Sequence, residues 1–148
     1  VDLFDGHGAP AATFAPDDTL VIRGAYQASK AIDSPVFQVA IVDIDTGVVV
    51  TTASTANRPA GQQASGLAGM VEGSGEIEIR FAHLPLRPRQ YVLRLSITDS
   101  YQLASYDVVT AGPRFAVTGQ GAGVDSLADE QDGLVTVPFE ISHRVSTR

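Results

Sequence analysis

The chain has 148 residues, a formal net charge of −7, no Cys and no Trp. That length suits one domain, able to bury roughly 70% of the surface that its unfolded form exposes. Without thiols there is no disulfide frame, thiolate metal site or Cys nucleophile, and one Lys against nine Arg in an acidic background argues against a nucleic-acid partner.

No apolar run approaches the ~18 residues of a membrane span. The opening VDLFDGHGAP resembles neither a signal peptide nor a natural start with Met. Residues 1–12 are therefore expected to be a linker from a missing upstream domain, with the domain proper at residues 13–148.

In DTLVIRGAYQAS, Leu20, Ile22, Tyr26 and Ala28 share one face, while Thr19, Val21, Arg23 and Gln27 share the other. PVFQVAIVDID is apolar on both faces, as a central strand would be. DIDTGVVV reads as a hairpin, with Asp45, Thr46 and Gly47 supplying the turn. Residues 57–75, rich in Gly, Ala, Gln and Ser, are expected to form a long loop holding one short strand near Leu67 to Val71.

GEIEIRF alternates, with Ile77, Ile79 and Phe81 inward and Glu76, Glu78 and Arg80 outward. HLPLRPRQYVLRLSI follows. Pro85 and Pro88 fix φ and lack N–H donors, so they suit a stiff corner between two sheets. In the strand beyond it, Tyr91, Leu93, Leu95 and Ile97 face in. SYDVV and RFAV are two further short strands. A polar, flexible connection over 119–133, with a short amphipathic stretch at VDSLADEQD, leads to LVTVPFEIS, where Val135, Val137, Phe139 and Ile141 share a face. Eight or nine short strands without a helical period predict an all-β, antiparallel sandwich.

Catalytic signatures are missing. There is no GxxxxGK[ST], and GQGAG lacks the strand-turn-helix setting of a dinucleotide site. His7, His83 and His143 lie far apart, and surface positions are the simpler reading for all three. DIDTG carries Gly47 and Ser54 where a calcium loop needs an oxygen ligand and Glu. No Ser belongs to a GxSxG elbow. The expectation is a domain with no catalytic, metal or cofactor residues of its own.

Recognition remains. Tyr26 and Tyr91 fall in phase with core positions, whereas Tyr101 and Tyr106 in DSYQLASYD are placed to meet solvent. Arg23, Gln38, Arg80 and Arg94 project away from apolar stripes. Guanidinium forks and planar amides suit sugar hydroxyls or acidic groups, and aromatic rings suit sugar C–H faces. Arg23, Gln38, Arg80, Arg94, Tyr101 and Tyr106 are the candidate carbohydrate-binding residues.

In order and spacing, PVFQVAIVDIDTGVVVTTAST, GEIEIRFAHLPLRPRQYVLRLSI, SYDVVTAGPRFAV and GLVTVPFEI resemble the C-terminal domain of Wzt-type ATP-binding subunits of O-antigen ABC transporters. The likeness spans about Phe14 to Ser142. Arg89 stands where a Gly is common in that family, Ser54 where Asn is usual, and Phe139 and Ile141 are the nearest apolar residues to a common Trp.

The resemblance implies an immunoglobulin-like Greek-key sandwich that recognises a lipid-linked O-antigen polysaccharide at the cytoplasmic face of the inner membrane. It implies ATP and Mg only in the upstream domain, and contact with the transmembrane subunit through that domain. It also implies a homodimer in which the last strand can be exchanged, to which Pro138 and the 119–133 segment would be suited. The alternative is a structural or adhesive sandwich making protein contacts.

Overall fold

A computed structural model describes residues 1–56, 69–119 and 139–146. Among these residues there are ten strands and no helix: β1 (Asp2–Phe4), β2 (Thr13–Phe14), β3 (Leu20–Asp33), β4 (Val36–Asp43), β5 (Val49–Ser54), β6 (Met70–Phe81), β7 (Gln90–Thr98), β8 (Ser105–Val109), β9 (Arg114–Val117) and β10 (Glu140–Val145). One sheet has the order β1-β3-β6-β10, the other β2-β9-β7-β4-β5, with β8 also paired to β7. The all-β, immunoglobulin-like sandwich expected from the alternating strands is what forms.

Register follows the side-chain pattern. Leu20, Ile22 and Gly24 of β3 lie opposite Phe81, Ile79 and Ile77 of β6, and Ile141 of β10 continues the Ile79 row. On the facing sheet, Phe37, Val39 and Ile41 of β4 lie opposite Ile97, Leu95 and Leu93 of β7. Phe14, Leu20, Ile41, Ile79, Phe81, Leu84 and Leu93 are almost completely enclosed. Each fully buried side chain of this kind contributes about 1.5–3 kcal/mol.

Pro85 and Pro88 turn the chain from β6 in one sheet to β7 in the other, as their chemistry suggested. The corner is pinned on both sides. Leu84 N–H donates to the Asp18 carbonyl at 3.1 Å, and its own carbonyl accepts from Asp17 N–H at 2.9 Å. The Tyr91 hydroxyl donates back to the Arg87 carbonyl at 2.8 Å, the device known as a tyrosine corner.

DIDTG is a hairpin turn. Asp43 accepts from the Asp45 N–H at 2.9 Å and from Arg89 Nη1 at 2.9 Å. The Arg89 contact ties the β4–β5 turn to the proline corner.

Four expectations need correction. Residues 1–12 are not merely a linker: β1 pairs with β3, and Leu3 is buried, because its apolar side chain fits the core beside Ile22. β2 runs parallel to β9, so the second sheet is mixed rather than wholly antiparallel. The strand near Val71 is the start of β6, which runs unbroken from Met70 across residues 72–75, the end of the stretch expected as loop; residues 57–68 of that stretch lie outside the described residues. Its glycines concealed this: Gly73 takes φ 75°, close to the irregularity where β3 shifts register between Ala28 and Ile32. Finally, His143 is no surface residue. It is half-buried, stacked on Tyr26, and hydrogen-bonded through Nε2 to the Tyr26 hydroxyl. The GQGAG run beyond Gly119, VDSLADEQD, Val135, Val137 and Pro138 lie outside the described residues.

Gly75 makes the Tyr26–His143 contact possible. A Cβ at Gly75 would strike the Tyr26 ring and lie 2.8 Å from the Arg144 carbonyl oxygen. Gly75→Ala should therefore lower unfolding stability by about 1–3 kcal/mol, read as a reduced denaturation midpoint.

The Asp43 carboxyl supplies a second prediction. Burial works to raise its pKa, but hydrogen bonds from Asp45 N–H, Arg89 and Thr46 N–H together hold it below the ordinary carboxylate value. A depressed folded pKa stabilises fully above the unfolded value of about 3.9, and that contribution is lost as pH falls through the folded value. Unfolding followed from pH 7 to pH 2 should show Asp43→Asn less stable at pH 7 and less sensitive to acid than the parent.

Candidate functional site

Burial is complete at the end carrying Leu20 and Leu93 and thins toward the other. There, Tyr26, Leu95 and Ile97 are in phase with the core yet only partly buried. Two features of pairing leave this end open. β1 reaches along β3 only as far as Arg23, so β3 from Gly24 onward is paired on one side alone among the described residues. On the opposite sheet the outermost strand is short, exposed β8.

Between them lies a cleft of about 330 Å³. Its floor is apolar, built by Val39, Ile77, Ile79, Leu95 and Ile97. Tyr26 and Phe37 form an aromatic wall, with ring centroids 5.4 Å apart. Gln27, Gln38, Ser96, Tyr106 and Asp107 also border it, but Gln27, Gln38 and Ser96 are out of phase with Tyr26, Phe37 and Leu95, so alternation turns their side chains to the outer faces of the sheets. Asp107 lies opposite Ile97 in register, and a register shift separates it from the Ser105–Thr98 pair. Alternation therefore places its side chain on the same side of the sheet as Ile97. Burial pushes the Tyr26 phenol up from its usual pKa, so its proton stays in place at neutral pH. The imidazole tautomer decides whether the phenol donates to Nε2 or Nε2–H donates to the phenol oxygen.

An apolar floor beside hydroxyl and carboxylate groups can hold a molecule that has both a C–H face and hydroxyls. The rings provide stacking surface, and Asp107 accepts from hydroxyls.

The six residues chosen from the sequence do not converge. Tyr106 and Gln38 border the cleft, Gln38 with its side chain in the outward phase of its strand. Arg94 projects from the outer face of the same sheet, opposite Ala40 and diagonal to Gln38. Tyr101 is 80% exposed in the β7–β8 turn, outside the cleft lining. Asp99 organises that turn by accepting from Leu103 N–H at 2.7 Å and Ala104 N–H at 3.0 Å.

Arg23 and Arg80 sit on the outer face of the other sheet. Arg23 bonds Glu78 at 2.7 Å and lies 4.5 Å from the Phe4 ring centroid. A concavity of about 390 Å³ on this face is lined by Asp2, Arg23, Glu76, Glu78 and Arg144 among others. The Arg23–Glu78 pair is exposed and therefore contributes little stability. Its guanidinium is already engaged, and no aromatic floor faces outward there beyond Phe4. The inter-sheet cleft is the better-built site.

Tyr26 and Asp107 are the site residues that sequence reasoning missed. Tyr26 reads as core because its phase is that of the core. Asp107 had one signal available: a carboxylate among apolar neighbours in the short alternating run SYDVV.

No group of three or more His, Asp or Glu among the described residues is placed to hold a metal ion.

Partial exposure at the open end predicts a gradient of mutational cost. Leu93→Ala, at the closed end, should lower stability by about 2–5 kcal/mol. Ile97→Ala should cost clearly less, because part of that side chain already faces the cleft. Equal losses in chemical denaturation would mean that the cleft is closed in solution.

The profile of the family described as the Wzt C-terminal domain matches residues 1–136. No curated protein matches the chain. Among solved structures, the crystal structure of the C-terminal domain of wzt aligns with a TM-score of 0.61 at 13% identity, covering 81% of this chain and 71% of that one. At that identity the likeness speaks for the shared sandwich.

Proposed function

The chain belongs to the Wzt C-terminal domain family, and from that membership and the cleft we propose that it recognises, without catalysis, a lipid-linked O-antigen polysaccharide presented for export by an ABC transporter. The observation that carries this reading is the apolar-floored cleft with Tyr26, Tyr106 and Asp107 beside it. A saccharide has complementary parts: C–H patches for the rings and floor, and hydroxyls for the carboxylate.

In this reading the domain works at the cytoplasmic face of the inner membrane, joined to a nucleotide-binding domain. That upstream domain would bind ATP and Mg and engage the transmembrane subunit. The working form is a homodimer, and exchange of β10 between protomers would be a natural variation. Among the described residues β10 is an edge strand with a single neighbour, β6. Two clefts per dimer would bind a repeating polymer with avidity beyond that of either alone.

A second reading, protein adhesion, is favoured by the β7–β8 hairpin. Leu103 is 88% and Val108 51% exposed there, more apolar surface than a solvated turn needs.

Calorimetric titration with O-chains from the source strain separates the two readings. The polysaccharide reading predicts millimolar to micromolar affinity, about 4 to 8 kcal/mol. It also predicts at least tenfold weaker binding for Tyr106→Ala, with a thermal midpoint near that of the parent, since Tyr106 is half-exposed. Absence of binding to those chains favours adhesion instead.

A further inference from the structure

The charge lining the cleft bears on which saccharides it can hold. Among the described residues that line it, one side chain is charged, Asp107, and no Arg, Lys or His side chain takes part. The arginines near this end point elsewhere. Arg94 faces away on the outer side of its sheet, and Arg23 is bonded to Glu78 on the other sheet. His143 stands behind the Tyr26 ring, bonded to its hydroxyl. The remaining polar groups at the cleft, Tyr26, Gln27, Gln38, Ser96 and Tyr106, are neutral, and the chain as a whole is acidic at −7.

We infer that this cleft takes uncharged sugar units and excludes acidic ones, with Asp107 as the residue that sets the choice. The inference rests on the saccharide-recognition reading above and names the class of sugar within it.

Three costs fall on a carboxylate entering here, and none falls on a hydroxyl. It leaves water for an apolar floor, where an anion without a partner is penalised far more than a neutral polar group. It finds no cation among the lining side chains. It also approaches the like charge of the exposed Asp107 carboxylate at the rim of the cleft, a repulsion that water there screens in part. A neutral unit reverses the last term. Its hydroxyls donate to Asp107 in charge-assisted hydrogen bonds, and two adjacent hydroxyls can use both carboxylate oxygens. The same group therefore attracts one class and repels the other, which is how a site gains specificity from a single residue.

The test uses O-chains of the source strain derivatised sparsely in two ways that differ by one charge: carboxymethyl ethers, which are acidic, and carboxamidomethyl ethers, which are neutral and nearly the same size. Each is titrated into the parent, Asp107→Asn and Asp107→Lys. Asp107 is exposed, so both variants should keep the parent's thermal midpoint. The parent should bind the neutral ether at least tenfold more tightly than the acidic one. Asp107→Asn should bring the ratio within threefold, and Asp107→Lys should invert it.

A parent ratio within threefold, including equal loss of both ethers, overturns the inference, as does a ratio unaltered in Asp107→Asn. Failure of the underivatised chains to bind the parent is a separate outcome, and it removes the saccharide reading itself.

Discussion

The open end of the sandwich depends on one contact: the Tyr26 ring laid across Gly75 to meet His143. Tyr26 comes from β3 and His143 from β10, two strands separated by β6. Only a residue without a side chain at Gly75 leaves room for the ring to pass between them. Phe37, from the opposite sheet, packs against both rings, 5.4 Å from Tyr26 and 6.2 Å from His143. These aromatic groups bridge the sheets where aliphatic packing thins out. Without them the apolar floor would have no wall, and the sheets could collapse onto each other or part.

The cleft is the consequence of strands that stop short. β1 covers only the first part of β3, and β8 replaces β9 as the neighbour of β7 along its second half. Each sheet thus ends unevenly on the same side, leaving Leu95 and Ile97 without full cover. In a domain whose remaining core is closed to solvent, this is where apolar surface, aromatic rings and a carboxylate meet. Binding there would reach β10 directly, because Tyr26 belongs both to the cleft wall and to the hydrogen bond that holds His143.

Much of the fold was legible because a half-buried strand writes its two faces as alternate residues. Ile77, Ile79 and Phe81, and Tyr91 and Leu93, turn inward as that period requires. The corner at Pro85 and Pro88 could be read for a different reason, since proline restricts backbone geometry wherever it stands. Two features were hidden. β6 begins among glycines, which lack the side chains that carry the alternating signal. β1 is too short for a period to appear.

The site was the least legible part. A phase argument assigns Tyr26, Leu95 and Ile97 to the interior, but it cannot say that the interior opens around them. That depends on where β1 and β8 end, a matter of pairing between distant segments. Choosing outward Arg residues on sequence grounds scattered the candidates over both sheets, because each sheet has an outward face. Arg23 and Arg94 obey the same local rule and end on opposite sides of the molecule.

Backbone amide shifts recorded by NMR during titration with the source-strain O-chains test the central claim most directly, because they locate contact without altering the protein. The account predicts perturbations concentrated at Gly24–Ala28, Leu95–Ile97 and Tyr106–Val109, with a weaker response at His143. Perturbations confined to the outer face around Arg23, Glu78 and Arg80, with the cleft amides unmoved, would contradict it.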